Sequence, residues 1–196
     1  AADEGYNTEW STELTLEEAW EEYAKAWLLL SLLELVLAPE PGERGFIFNM
    51  SVGYDLEGIS SEPVRRFIAR MKDSSREPRF LEWLAELRQA APLFEGSDLG
   101  GAASALPSLQ VSGRICSSVT LSTMHGCPPE EIEAICRHML TVEELHTSVK
   151  LNPTLLGYQT VRSILDGLGY EYVELQRESF DHDLSYPQAV EIISRL

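Results

Sequence analysis

VTLSTMHGCPPEEIEAICRHMLTVEELHTSVKLNP, residues 119–153, reads as one complete strand, helix, strand unit with polar residues gathered at both strand ends. Residues 119–123 are β-branched and alternating, which suits a strand, and Gly126, Cys127, Pro128 and Pro129 then turn the chain. A helix follows. Proline is tolerated in its first turn, Glu130 and Glu131 complement the positive end of its dipole, and Ile132, Ile135, Cys136, Met139 and Leu140 recur at helical spacing. A second strand, 148–151, runs into Asn152, Pro153 and Thr154. The HGC and KLNP stretches are thus expected on one edge of a parallel sheet, with the second strand buried on both faces. In α/β folds that edge binds ligands.

The 196 residues are enough for one domain with a sizeable core, and 44% apolar content with 9% aromatics argues against disorder. Fifteen Lys and Arg against 32 Asp and Glu give a net charge of −17, which sets aside nucleic acid and anionic membrane surfaces as partners. The most apolar run, 27–37, is interrupted by Glu34 and too short to span a bilayer, and no basic-then-apolar leader opens the sequence. A cytoplasmic address is the expectation. Three cysteines, Cys116, Cys127 and Cys136, show no CxxC, so reduced thiols are expected and no metal site is assigned.

Upstream, residues 1–14 carry no clear period and begin without an initiator Met, which suggests the interior of a longer protein. Thr15 with Glu18 forms a capping box, and an apolar stripe through Trp20 and Trp27 predicts a helix to about Leu37. Residues 46–51 read as a buried strand ending in Asn49 and Ser51, followed by a loop at 53–59. Helices are expected from Ser61 and over 80–90. The Gly, Ala and Ser-rich segment 95–113 reads as a flexible surface excursion. Beyond the central unit come a helix from Tyr158 to about Leu168, a strand at 172–175 and a last helix over 188–196. Strands alternating with helices imply right-handed parallel crossovers. Four βα units make half of an eight-stranded barrel; an open doubly wound sheet would fit the same order, but no glycine-rich phosphate fingerprint follows any strand.

The blocks YNTEWSTEL (6–14), FIFNMSVGYDLEGI (46–59), TLSTMHGCPPEEIEAICRHML (120–140), VKLNPTLLGY (149–158) and ESFDHDL (178–184) resemble the selenate reductase flavoprotein subunit family. The resemblance covers nearly half the chain. It implies a single partial (β/α)8 TIM-barrel-like domain over 1–196, from the middle of a barrel similar to those of dihydroorotate and dihydropyrimidine dehydrogenases. Glutamate-synthase-like modules carrying FAD and NADPH, and domains carrying 4Fe-4S clusters, would lie elsewhere in the same polypeptide and be the segment's partners. FMN would sit on the barrel with a small-molecule substrate. In such barrels a Cys-Pro loop follows one strand and a Lys with a following Pro marks the next. These map onto Cys127 with Pro128 and onto Lys150 with Pro153, so the resemblance implies an oxidoreductase whose segment is inactive by itself.

The residues themselves leave alternatives open. Lys150 could donate to a reduced flavin or a phosphate, or make an ordinary surface ion pair. Asn152, Asn49 and Ser51 could contact a cofactor from the same rim, or cap turns. Cys127 beside His125 suits an acid, base or thiolate role, since a helix N-terminus lowers a thiol's pKa; a buried inert thiol in a structural turn is the competing account. Arg177, Asp181, His182 and Asp183 could bind a polar substrate or merely form salt bridges in a solvated loop. A scaffold barrel that docks the other modules, and a hydrolase or lyase using Cys127 or His125 as base, are the competing functions.

Half a barrel exposes unpaired strand edges, whose open N–H and C=O groups attract further strands, and the apolar end of the first helix needs cover. The isolated segment is therefore predicted to form a homodimer or to be unstable. Light scattering at several concentrations checks this, and a monomer with a cooperative melt would defeat the half-barrel reading.

Overall fold

The computed structural model describes residues 14–37, 46–53, 55–96, 103–122 and 127–196, which fall into two compact units. The first unit holds residues 1–50 and 62–118, the second 51–61 and 119–196. Among the described residues no helix is long and apolar enough to cross a membrane.

In the first unit α1, Leu16–Leu37, starts where the sequence places it. The Thr15 amide and hydroxyl donate to the Glu18 carboxylate at 2.7 and 2.8 Å, and the Glu18 amide returns a bond to Thr15 Oγ1, which completes the capping box. One face buries Trp20, Tyr23, Ala24 and Trp27 against α3, Glu62–Lys72, and α4, Pro78–Gln89. Both tryptophans are core, as their spacing suggests; Trp10 lies outside the described residues. Each also finishes a polar contact: Trp20 Nε1 donates to Ser74 Oγ at 3.0 Å and Trp27 Nε1 to the Ser112 carbonyl at 2.8 Å. Buried indoles need such partners. Arg70 lies 3.4 Å over the Trp20 ring and pairs with Glu17 and Glu77, so its charge is compensated inside the unit.

Segment 95–113 is not a surface excursion where it is described. Leu106 is fully buried, and with Ala103 and Leu109 it packs on Leu32, Leu87 and Phe94. Small residues permit this rather than loosen it. Gly113 lies against the backbone of Ser75, where a Cβ would stand 2.4 Å from the Ser75 amide nitrogen, and the Gly113 carbonyl accepts the Ser74 N–H at 2.8 Å.

The second unit carries the parallel sheet, apart from the first residues of two strands. Its order is β1, Met50–Val52; β2, Ser118–Ser122; β3, His146–Lys150. β1 is shorter than its sequence suggests, so Asn49 precedes it and Ser51 lies within it; neither ends the strand. Helix α2, Leu56–Ser60, replaces the expected loop, because Asp55 caps it by accepting the Gly58 amide at 2.7 Å. After β2, α5 spans Pro129–Thr141 and buries Ile132, Ile135, Cys136 and Met139, the face its periodicity predicts.

β3 leads through a 3₁₀ turn, Pro153–Leu156, into α6, Tyr158–Gly167, then α7, Arg177–His182, and α8, Tyr186–Arg195. Residues 172–175 form no strand. Arg162 of α6 donates to the carbonyls of Tyr170 and Val173, and Tyr172 is exposed, so the segment's polar groups are met by a side chain in place of a neighbouring strand. The α/β class and the partial barrel stand, with three strands rather than four.

Leu106→Ala should destabilise the first unit by about 2–5 kcal/mol, since a fully buried leucine leaves both lost transfer energy and a cavity. A lowered denaturation midpoint measures it, and a loss under 1 kcal/mol would mean that this segment is peripheral.

Candidate functional site

Strand direction decides which residues meet. In a parallel sheet the carboxyl ends share one edge, and in the second unit that edge gathers Asp55 after β1, Cys127 and Glu131 after β2, and Asn152 and Thr154 after β3. Glu131 links the first two loops. One of its carboxylate oxygens accepts the Leu56 N–H at 3.3 Å, and the other lies 3.9 Å from Cys127 Sγ. Asp183, just past α7, links the third: its Oδ2 accepts the Thr154 hydroxyl at 2.7 Å and the Asn152 side-chain N–H at 3.3 Å.

Cys127 stands at the amino end of α5, where the dipole alone would lower its pKa. Burial works the other way, and the neighbouring carboxylates of Glu131 and Asp55 add to it, so the thiol is pushed up to about 11. It is therefore a thiol at neutral pH, and the thiolate expectation fails. Cys116 and Cys136 are buried and also raised to about 11, chiefly by burial, which agrees with packing roles.

β3 is not buried on both faces. His146, Ser148 and Lys150 are exposed, whereas Thr147, Val149 and Leu151 face an apolar cavity of about 350 Å³ shared with residues of α5 and α8. Because barrel strands alternate between the helix layer and the interior, Lys150 lies on the interior side, one position before the loop that bears Asn152. Asn49 belongs to the first unit, where its side-chain amide donates to the Met50 carbonyl at 3.0 Å. Ser51 sits half-buried inside β1. His125 lies outside the described residues. Of the candidates, the second unit thus brings Cys127 and Asn152 to one small pocket with Thr154 and Asp183, and sets Lys150 on the same strand end.

These blocks have known relatives. A family model described as "Oxidoreductase YgfK, N-terminal TIM-barrel domain" matches residues 1–196. The chain belongs to this family. It is 51% identical over 201 residues to the protein named "Putative oxidoreductase YgfK" of Escherichia coli strain K12, and equally to its namesake in Escherichia coli O157:H7. The alignments take in all of this chain and 20% of each relative, so the chain spans about a fifth of their length. No solved structure matches it significantly. Membership in the YgfK barrel family supports the barrel class from sequence, independently of the three strands.

Glu131, Asp55 and Thr154 were not legible as site residues. Glu131 presents itself only as a dipole-complementing acid, and Asp55 as one acid of a loop. Asp183 stood among a solvated charged rim, yet it is half-buried and hydrogen-bonded. Its neighbours differ from it, because 177–182 is helical and Arg177 stacks 4.0 Å over the Tyr158 ring. The local signal was the Asn-Pro-Thr order after β3, which places two donors one turn apart.

Glu131→Gln removes a charge that raises the Cys127 pKa, so the thiol should titrate lower, though burial keeps it above an ordinary cysteine. The pH dependence of Cys127 alkylation reads this, and an unchanged or raised midpoint would show that Glu131 does not face the thiol.

Proposed function

We propose that this chain forms the ligand-facing side of an FMN-bearing barrel within a multidomain iron-sulfur flavoprotein oxidoreductase. NADPH, FAD and 4Fe-4S modules elsewhere in the polypeptide would exchange electrons with it, and selenate reduction belongs to that whole assembly. A cytoplasmic address goes with the same reading. The observation that carries it is the pairing of a protonated half-buried thiol, Cys127, with the ammonium of Lys150 and the amide of Asn152 at the carboxyl edge of one parallel sheet.

The donor set suits a flavin ring. Lys150 supplies a positive charge on the barrel's inner side, and Asn152 an amide held by Asp183. The carboxylates of Asp55, Glu131 and Asp183 do not suit a phosphate, so among the described residues the ring edge fits and a phosphate cradle is not found. When bound, FMN supplies reversible hydride transfer. The chain's own contribution is then to orient the ring through Lys150 and Asn152, and to hold a proton on Cys127 Sγ that can pass to an atom gaining electrons. A general acid needs its proton at working pH, and a pKa of about 11 secures it. The same value argues against the hydrolase or lyase reading, which needs a thiolate or a free base.

The scaffold reading, in which the barrel docks the other modules and binds no cofactor, draws on one feature. Three carboxylates crowd the edge where an anionic ligand would approach.

Flavin extracted from the full-length protein separates the two. FMN should accompany FAD, and Lys150→Met should lower the FMN content while leaving FAD in place; FAD alone in the wild type would favour the scaffold.

A further inference from the structure

The pocket at the carboxyl edge is built but shut. Cys127, Leu151, Asn152, Thr154, Asp183 and Leu184 enclose a cavity of about 10 Å³. A single water needs about 10–15 Å³, and small-molecule sites run to hundreds. No ligand larger than water can stand beside the thiol in this state. The wall in the way is the short link between α7 and α8. Its Asp183 Oδ2 takes both the Thr154 hydroxyl, at 2.7 Å, and the Asn152 side-chain N–H, at 3.3 Å, while Leu184 is buried behind it.

The two ends of this link are anchored unequally. On one side α8 begins with the Ser185 and Gln188 capping box and is tied to α5, where Arg195 Nε donates to Glu133 at 2.8 Å. On the other side α7 has six residues, and its last turn closes through one bond from the Asp183 N–H to the Ser179 carbonyl at 3.2 Å. Motion is cheaper on the α7 side. The only printed side-chain ties across the pocket are two hydrogen bonds on one carboxylate oxygen, which a polar ligand can replace with its own.

We propose that residues 183–184 form a strap over Cys127, latched by Asp183 to Thr154 and Asn152, and that a ligand reaches the thiol only when Asp183 lets go. The latch deepens the reading of Cys127 as the site's proton donor and takes its functional meaning from it, but its geometry does not depend on a flavin. Asp183 is a positioning residue here: it acts through Thr154 and Asn152, and its release opens the pocket while freeing the Asn152 amide to turn.

The test uses full-length protein, alkylated with iodoacetamide at a fixed neutral pH, with peptide mass spectrometry following each cysteine separately. Asp183→Ala should raise the Cys127 labelling rate about tenfold, and Thr154→Val by a smaller factor, as lost hydrogen bonds shift a local opening equilibrium. Asp183→Asn should stay within about threefold of wild type, because its amide oxygen still accepts the Thr154 hydroxyl. Cys116 and Cys136, both buried, report on the fold and should not change. An unchanged Cys127 rate in Asp183→Ala overturns the latch. So does a joint rise of all three cysteines, which would make Asp183 a residue that holds the fold. Labelling needs no FMN, so a wild type without FMN would sink the cofactor reading and still leave the latch to be judged by these rates.

Discussion

The carboxylate of Glu131, one turn into α5, accepts the Leu56 amide on one oxygen and faces the Cys127 thiol with the other, and the carboxyl edge of the sheet is assembled around it. Parallel strands cannot be joined by tight turns, so the loops at that edge come from distant parts of the chain. Something other than the backbone must hold them. Glu131 does so for the loops after β1 and β2, and Asp183 does so for the loop after β3. Both are acids meeting N–H, O–H or S–H donors, which leaves the edge rich in negative charge and poor in free donors. Lys150, on the inner side of β3, supplies the opposite sign.

That arrangement also sets the chemistry of the one thiol at the edge. A cysteine at a helix start is commonly read as activated, because exposed N–H groups favour the anion. Here the same first turn carries the acid that opposes it. The competition is between a partial positive charge from the dipole and a full negative charge within 4 Å, reinforced by burial, and the second side wins. A thiol so placed is suited to giving a proton rather than to attacking carbon.

The sequence was a good guide wherever local rules and tertiary structure agreed. The Thr15 and Glu18 capping box, the apolar face of α5, the turn at Pro128 and Pro129 and the Gly157-to-Gly167 helix could all be read from spacing, because each is fixed within a few residues. What could not be read depends on residues far away. The 95–113 segment looked loose by composition, but Leu106 is buried by Leu32 and Leu87. Residues 172–175 alternate like a strand, yet a strand needs a neighbour, and Arg162 takes its carbonyls instead. Lys150 and Asn152 were legible as site candidates from the strand end they occupy. Glu131 and Asp183 were not, since an acid in a helix turn or a charged rim gives no sign of its partner 75 or 31 residues away.

The spacing of the strands along the chain carries a consequence for how the protein reaches this state. β2 and β3 are separated by little more than α5, whereas α2, α3, α4 and the buried 103–109 segment all lie between β1 and β2. That gap is nearly three times as long, and closing it costs about 1 kcal/mol more in chain entropy before any strand contact offsets it. Residues 118–150 therefore have the lower contact order and form the natural nucleus, with β1 as the last strand to dock. Until β1 arrives, Leu56 has not reached Glu131, and the edge that gathers Cys127 is only half made. The assembly of the site is thus a late folding event, set by the length of one crossover rather than by the strength of the contacts it finally makes.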